Sequence, residues 1–302
     1  MIDIKQEYIN FCTKKGIKIT IYDSIKSHDD TTLFCPAGMQ AFKSKFKDKN
    51  HKGTEASIQA CLRINDLNEI SDSTHALTFD MLGLFSFREM TMKEAIDFWL
   101  EFITDVLKLR IDYVTYHPHK FEWVEDFYWE GKLESHDVRR EFQKREGTDD
   151  QHVLFGEDKE CIWTDGELKG YCTEFYINFV EIGNIVNLEE DCIDVGFGFD
   201  RLDELVNGAE RNKIKNLKKA ILKLIDEGFI PSNTKQGYVL RKLLRELYLM
   251  NDKIDHEFFE REVERQIGLE QKYYQLRSKN LDKSKEWWKD THGIDLDLIN
   301  EL

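Results

Sequence analysis

Proline, paired cysteines and long apolar runs are scarce or absent in this sequence of 302 residues. Only three prolines occur and no Ser/Gly-rich linker interrupts the chain, which predicts a compact fold throughout. The six cysteines are widely spaced and form no CxxC pair, so we expect free thiols rather than a disulfide framework or a cysteine-rich zinc site. No window approaches the roughly 18 consecutive apolar residues of a membrane helix.

Basic residues are outnumbered, because 43 Lys and Arg stand against 58 Asp and Glu and the net charge is −15. This balance argues against indiscriminate binding of polyanions but leaves room for a local basic face. With 41% hydrophobic and 12% aromatic residues the chain can fill a core, and its length predicts about two domains. The first residues lack the order of a signal peptide, so we expect a cytoplasmic protein without a membrane partner.

Helical and strand patterns alternate over the first two thirds of the chain. Residues 3–14 and 92–108 carry apolar side chains close to one helical face. Strand-like runs rich in β-branched and aromatic residues cover 77–87, 113–117, 174–186 and 192–198. Short strands separated by helices and long excursions predict an α+β fold rather than a regular βαβ winding.

The last third has a helical pattern. Apolar residues recur on one stripe at Ile214, Leu217, Ile221, Leu224 and Ile225, and Gly228 supplies a stop signal. A domain boundary at Asn207-Gly208 is therefore predicted, with a mixed domain over 1–207 and an all-helical domain over 208–302.

Arg63 lies in a strand-like run, IQACLRIND, and a second alternating run, HALTFDMLGLFSF, follows about a dozen residues later. Two antiparallel strands with an arginine on one and aromatic rings on the other suit a nucleotide, because a guanidinium binds phosphate while a base stacks on a ring. An ordinary hairpin with a surface arginine is the alternative.

The segment DVGFGFDRL, residues 194–202, holds Gly196 and Gly198 ahead of Arg201, at what the pattern predicts to be a helix start. The glycines would let backbone approach a ligand closely, yet the spacing is neither that of a Rossmann phosphate loop nor that of a P-loop. Turn glycines explain the same pattern.

Polar side chains interrupt the strand-like segment CTEFYINFVEIGN at Glu174, Glu181 and Asn184. Carboxylates inside an apolar strand are costly unless they are paired, so these residues are candidates for binding an ammonium group or a metal. Half-exposed strands whose acids face water are the alternative.

In the segment 227–247, a Pro-Ser-Asn turn at residues 231–233 leads into a helix with Lys235, Arg241, Lys242 and Arg245. Three of these charges share one flank and are candidates for contacts with a nucleic-acid backbone. A solvated helix face is the alternative.

Together these segments resemble the catalytic part of alanyl-tRNA synthetase, a class II aminoacyl-tRNA synthetase family. The resembling stretches, in order along nearly the whole chain, are TTLFCPAGMQAFKSKF (31–46), QACLRINDL with THALTFDMLGLFSF (59–87), YVTYH (113–117), Trp163 with GYCTEFY (170–176), VEIGNIV (180–186), DVGFGFDRL (194–202) and GFIPSNTKQGYVLRKLLRE (228–246). The resemblance implies a class II antiparallel β-sheet flanked by helices, followed by a small helical domain that corresponds to a reduced tRNA-recognition module.

The same resemblance implies ATP and Mg²⁺ as cofactors, no zinc, and an adenylating site on the sheet. Arg63 then corresponds to the motif 2 arginine at the α-phosphate and Arg201 to the motif 3 arginine near the γ-phosphate, the two catalytic assignments. The other implied ATP contacts are His75, Phe79, Gly196 and Gly198.

The resemblance also implies which residues form the amino-acid subsite. Asp194 corresponds to the partner of the substrate ammonium, Trp163 to the aromatic wall, and Asn184 with Val186 to the pocket strand, with Gly196 beside them. The tRNA contacts are expected at Lys235, Arg241, Lys242 and Arg245.

Several positions depart from the family pattern. Arg63 is followed by Ile64-Asn65-Asp66 instead of a basic loop with a lysine, and the tryptophan expected before Asn184 is Gly183. Ala60, Thr74 and Ala76 replace other family residues, and the Gly-Pro-Cys-Gly-Pro segment is shortened to GYC. These changes predict a wider or differently shaped amino-acid pocket.

No segment corresponds to the family's editing or C-terminal domains, so an adenylating core is expected. Three functions follow as hypotheses. The first is activation of a small amino acid, most simply alanine, and its transfer to tRNA. The second is transfer of the activated amino acid to a carrier-protein thiol or a small-molecule amine. The third is a non-catalytic paralogue that binds an amino acid or a partner.

Overall fold

The computed structural model describes residues 1–29, 31–68, 70, 75–115, 162–165, 168–178, 180–210, 212–280, 283–294 and 296. The chain divides into two compact units, residues 1–211 and residues 212–302. Gly208 ends the last helix of the first unit in the left-handed conformation, with φ of 71°, and the helical unit begins four residues later at Asn212.

In the described part of the first unit, eight strands form one sheet. They are β1 (Lys18–Tyr22), β2 (Gly53–Leu62), β3 (Thr78–Phe87), β4 (Tyr113–Thr115), β5 (Ile162–Thr164), β6 (Lys169–Ile177), β7 (Val180–Leu188) and β8 (Cys192–Gly198). The order across the sheet is β1-β2-β3-β8-β7-β6-β4, and β5 pairs with β6 as well. All pairs are antiparallel except β1 with β2, which confirms the predicted α+β class.

Within the described part of this unit, four helices occur: α1 (Ile4–Lys14), α2 (Lys43–Lys47), α3 (Met92–Leu100, continuing as a π-helical turn over Glu101–Val106) and α4 (Phe199–Asn207). One face of the sheet packs against α1 and α3 in a large apolar core. The ring of Trp99 on α3 stacks on Phe197 at 4.0 Å and on Tyr8 of α1 at 5.2 Å. Aromatic stacking therefore fixes both helices on this face.

The described residues cover the opposite face of the sheet only in part. A 3₁₀ turn over Gly38–Phe42 and helix α2 cover one end of it, where Phe42 stacks on Phe85 at 4.2 Å. Met39, Val186 and Cys172 are buried in the same cluster. The other end of this face stays accessible as a cleft.

A β-bulge in β7 determines which of its side chains reach the cleft. Gly183 pairs with Phe175 of β6, but Glu181 pairs with Tyr176, so Ile182 is an extra residue in the register. The bulge buries Ile182 together with Ile185 in the core, and it leaves Glu181 and Asn184 on the same face although they are three residues apart.

Two strand predictions need correction. The run from 174 to 186 is not one strand but the hairpin of β6 and β7, turning at Asn178, whose φ of 53° is left-handed. Asparagine tolerates that conformation better than most residues, so a turn forms without glycine. Arg63 lies directly after β2 rather than within it.

Four helices make up the described part of the second unit: α5 (Lys213–Asp226), α6 (Lys235–Leu249), α7 (Glu257–Arg277) and α8 (Lys285–His292). The Asn212 side chain caps the start of α5, and Gly228 after its end has a φ of 83°. Leu217, Ile221 and Leu224 of the predicted stripe are fully buried.

The five cysteines within the described residues are free and buried, and Cys161 lies outside them, as does Thr74. Of the predicted strand 113–117, only Tyr113–Thr115 is described. No helix among the described residues combines the length and the apolar composition that crossing a bilayer requires.

Candidate active site

A cleft of about 230 Å³ opens on the partly covered face of the sheet, between β3, β7, β8 and the residues that follow β2. It brings together nine of the ten residues that the sequence assigns to ATP or the amino acid: Arg63, His75, Phe79, Trp163, Asn184, Asp194, Gly196, Gly198 and Arg201. Their individual roles stay predictions.

Val186 is the exception. It lies on the same face as Asp194, its partner in the register, but its side chain is completely buried beneath the segment that carries Met39 and Phe42. The assignment of Val186 to the amino-acid pocket is therefore corrected: it supports the floor of the sheet and does not line the cleft.

Arg63 is held in place by backbone and ring contacts. Its backbone N–H donates to the carbonyl of Leu77 at 2.8 Å, and its Nε donates to the carbonyl of Pro36 at 2.9 Å. The guanidinium lies over the ring of Phe79, 5.1 Å from its centroid. A cation above an aromatic ring is attracted by the ring's electron-rich face, so Phe79 orients Arg63 in the cleft.

Arg201 lies in the first turn of α4, whose first residue, Phe199, directly follows β8. Its Nη1 donates to the carboxylate of Glu181 at 2.9 Å and to the backbone carbonyl of the same residue. The backbone N–H groups at the start of a helix carry partial positive charge, which favours an anion there.

The floor of the cleft is built from residues with little bulk. Gly196 of β8 lies in register between Gly83 of β3 and Asn184 of β7. A Cβ atom on Gly196 would lie 2.8 Å from the sulfur of Met81, whereas one on Gly198 would touch nothing closer than 3.6 Å. Gly196 thus lets Met81 reach across the sheet, while the space above Gly198 is open to a ligand.

Asp194 lies on the cleft floor, and its pKa is strongly perturbed. Burial, with a smaller contribution from the negative charge of Asp165, raises its pKa to about 7. Asp165 is itself paired with Lys43, whose Nζ lies 3.0 Å from its carboxylate. A cationic ligand beside Asp194 would offset the free-energy cost of ionising this buried carboxyl group.

Gly183 lines this cleft, and its lack of a side chain makes room for a neighbouring ring. A Cβ atom there would lie 2.4 Å from Cγ of Phe197 and 2.6 Å from the carbonyl oxygen of Gly196. Phe197 belongs to the core on the other side of the sheet. The wider or differently shaped amino-acid pocket stays a prediction.

The residues after Arg63 form a short 3₁₀ turn, Ile64–Asn68, and Asp66 of this turn lines the cleft. A carboxylate therefore lies where the family pattern has a basic loop. Asp66, Asp200 and Met81 are cleft residues to which the sequence assigned no functional role, and Glu181, a candidate for binding an ammonium group or a metal, lines the cleft with them. The strand register and the bulge place the strand residues Met81 and Glu181 in the cleft, and neither feature is visible in the sequence as a motif.

The predicted tRNA contacts all lie on α6. Arg241 is engaged within its own unit, since its Nε lies 3.3 Å from Glu262 and its Nη1 hydrogen-bonds to Asn233. Glu262 is almost completely buried and also accepts hydrogen bonds from Arg265 and Gln266. Lys242 and Arg245 are half-buried.

Comparison with known proteins identifies the family to which this sheet and its arginine-bearing cleft belong. The family profile described as "tRNA synthetases class II (A)" matches residues 3–218. The chain therefore belongs to the class II tRNA synthetases.

Within that family the similar curated proteins are alanine–tRNA ligases. Identities are 28% over 313 residues with the protein of Endomicrobium trichonymphae and 29% over 310 residues with that of Vesicomyosocius okutanii. Each alignment covers 80% of this chain but 34% and 35% of the relatives, so the chain spans about a third of their length. A solved pyrrolysyl tRNA synthetase from Desulfitobacterium hafniense is 10% identical over 71% of both chains, with a TM-score of 0.39.

Proposed function

We propose that this protein uses ATP to convert a small amino acid, most simply alanine, to its aminoacyl-adenylate and then transfers the aminoacyl group to tRNA. One observation carries the proposal: a single cleft holds Arg63, Arg201, Asp194 and Trp163 on a class II sheet. Membership of the family and similarity to alanine–tRNA ligases support the choice of reaction and substrate.

In the activation step, a carboxylate oxygen of the amino acid forms a bond to the α-phosphorus of ATP. The bond from that phosphorus to the bridging oxygen breaks, and pyrophosphate leaves with the electron pair. Negative charge builds on the phosphate oxygens, and fixed guanidinium groups stabilise such charge at little reorganisation cost. Arg63 and Arg201 supply these groups. The attacking carboxylate is ionised at neutral pH, so the step needs no general base.

The residues in the cleft fit ATP. Arg63 stacked on Phe79 offers a cation for phosphate beside an aromatic face, and the open space above Gly198 lets a ligand approach backbone. The start of α4 adds a favourable site for phosphate charge.

Mg²⁺ is compatible with the same cleft. Among the described residues, no three His, Cys, Asp or Glu side chains lie close enough together to hold a metal. Mg²⁺ in nucleotide sites takes most ligands from phosphate and water and needs only one or two carboxylates. Asp66 and Asp200 line the cleft and would serve, and the ion would supply charge neutralisation at the phosphates.

The amino acid is expected to lie at Asp194 and Trp163. The carboxylate of Asp194 would bind the substrate ammonium, which compensates the charge that burial makes costly. The ring of Trp163 borders the same cleft and limits the size of the side chain that fits.

A second candidate keeps the activation step but transfers the aminoacyl group to a carrier-protein thiol or a small amine. The pairing of Arg241 with Glu262 favours it, because a predicted nucleic-acid contact is already engaged inside the helical unit. A non-catalytic paralogue would retain ligand binding but not exchange.

ATP–pyrophosphate exchange across the twenty amino acids, with Mg²⁺, tests the proposal, followed by transfer to total tRNA for any active amino acid. We expect exchange with alanine and charging of tRNA. Arg63→Ala and Arg201→Ala should each cost about 2–4 kcal/mol in the activation step. Exchange without charging would support the second candidate, and no exchange with any amino acid would refute both.

A further inference from the structure

A second cavity, of about 210 Å³, lies within the helical unit and shares no lining residue with the cleft. Three guanidinium groups line it, from Arg241 on α6 and from Arg261 and Arg265 on α7. Among the described residues that line this arginine cavity, Glu262 is the single acid. Positive charge therefore exceeds negative charge along its wall.

Glu262 is shared between two of these arginines. Its carboxylate accepts hydrogen bonds from Nε and Nη2 of Arg265, at 3.1 and 2.9 Å, and from Gln266. Nε of Arg241 is shielded from water and lies 3.3 Å from the same carboxylate, but it makes no hydrogen bond to the described residues. Burial, and then the positive charges of Arg265 and Arg245, lowers the pKa of Arg241 below its ordinary value. A further anion would stabilise this arginine.

Arg261 is the third guanidinium, and a ligand can reach it. It pairs with Glu257 at 2.7 Å, and the two side chains are 69% and 59% exposed. An exposed ion pair contributes little to stability, so a ligand can compete with Glu257 for the guanidinium. Because Arg245 adds positive charge near Arg241, the excess remains when these neighbours are counted.

We propose that the arginine cavity binds a phosphate monoester or inorganic phosphate. Such a group carries about −1.5 to −2 charges at neutral pH, which matches the excess of guanidinium charge, whereas a phosphodiester carries one. The planar fork of a guanidinium also fits phosphate oxygens. The cavity is smaller than the roughly 300 Å³ of sites for drug-sized ligands, so it suits a phosphate group with few attached atoms. This site does not depend on the reaction in the cleft.

Nuclear magnetic resonance of the full chain, titrated with inorganic phosphate, tests the site. The Nε–H signals of Arg241 and Arg265, assigned by single substitution to lysine, report on the arginine cavity and not on the cleft. Both should shift with one Kd, at least about fivefold lower for inorganic phosphate than for dimethyl phosphate, a monoanionic diester. The Arg63→Ala/Arg201→Ala variant should show the same shifts, because its changes lie in the cleft.

Two variants and a matched control locate the binding. Arg261→Ala removes a guanidinium that does not pair with Glu262, and it should raise the Kd of phosphate about fivefold. Arg265→Lys keeps a positive charge beside Glu262 but loses the planar fork, so a similar loss is expected. Arg277→Ala, at an exposed position of α7 outside the cavity, should leave the Kd unchanged. Thermal unfolding of each variant separates a loss of binding from misfolding.

Absence of shifts at Arg241 and Arg265 with inorganic phosphate would overturn the proposal, as would an equal Kd in wild type and Arg261→Ala. Tighter binding of dimethyl phosphate or of a short RNA duplex would also overturn it and would assign the cavity to a polynucleotide backbone. Failure of ATP–pyrophosphate exchange would refute the proposed function alone, because the shifts at the two arginines are measured without it.

Discussion

Asp194 is the proposed partner of the substrate ammonium, and in that role it would serve binding at the expense of stability. Its position on β8, beside Asp165 and shielded from bulk water, raises its pKa to about 7. A buried carboxylate is costly when ionised, yet an ionised carboxylate is what an ammonium group needs. Binding and stability should therefore respond to pH in opposite directions.

The amino-acid affinity should fall in mildly acidic solution. As pH decreases below about 7, Asp194 takes up a proton and loses the charge that attracts the ammonium group. The value of kcat/KM for the amino acid should then drop about tenfold per pH unit. Exchange measured between pH 5.5 and 8.5 checks this, with Asp194→Asn as the control that loses the inflection. A wild-type profile without an inflection above pH 5 would contradict the assignment.

Stability should change in the opposite sense. The folded-state pKa of Asp194 lies above its ordinary value, so the folded chain holds the proton more tightly, and stability is lost as pH rises from about 4 to about 7. At pH 8 the Asp194→Asn variant should unfold with a free energy higher than wild type by about 1–2 kcal/mol, discounted for solvent in the cleft. Urea unfolding at pH 8 and at pH 4 measures this; a gain that persists at pH 4 would point to another cause.

At the scale of the element, Gly183 on β7 allows close packing against Phe197 of β8. The Phe197 ring occupies the space that a side chain there would need, and it stacks on Trp99 of α3. The glycine therefore serves the interface between sheet and helix as well as lining the cleft.

Gly183→Ala should destabilise the fold by about 2 kcal/mol or more, because both the Phe197 ring and the backbone oxygen of Gly196 would have to move. Gly198→Ala is the structural control, since its nearest neighbour, Arg201, lies 3.6 Å away. Thermal unfolding of the two variants measures the difference in their stability. Equal stability of both would mean that β7 and β8 adjust freely, which the close contacts argue against.

The sequence predicts an element well when neighbouring residues determine it, and poorly when residues distant in the sequence do. The helices α1, α3 and α5 follow from apolar periodicity, and antiparallel β2 and β3 from two alternating runs. The bulge at Ile182 could not be predicted, because both Ile182 and Ile185 suit a core and neither marks an extra residue. The pairing of Glu181 with Arg201 depends on that bulge, so it was equally hidden. Val186 was misassigned because the covering segment around Met39 comes from distant sequence.

At the scale of the whole molecule, charge is distributed unevenly between the two units. Residues 1–211 hold 25 Lys and Arg against 42 Asp and Glu, while residues 212–302 hold 18 against 16. The overall charge of −15 therefore comes from the unit with the cleft. A nearly neutral helical unit can carry a local basic face, and contacts with the phosphate backbone of tRNA are expected there rather than on the acidic unit.

The choice of acceptor can be tested on α6 without disturbing the buried network. Arg241 is unsuitable, because its loss would leave Glu262 buried with one cation fewer. The double variant Lys242→Glu/Arg245→Glu instead reverses two half-buried charges. If α6 contacts tRNA, charging should fall at least about tenfold while ATP–pyrophosphate exchange stays within about twofold of wild type.

Arg277→Glu/Lys279→Glu is the matched control, since it makes the same charge change at two exposed positions near the end of α7. Charging by this control should stay close to wild type at 100 mM salt, where non-specific attraction is partly screened within about 10 Å. Equal losses in both double variants would indicate a general effect of charge on tRNA approach. Unimpaired charging in the α6 variant would remove α6 from the tRNA contacts, and impaired exchange would show that the substitutions damage the fold.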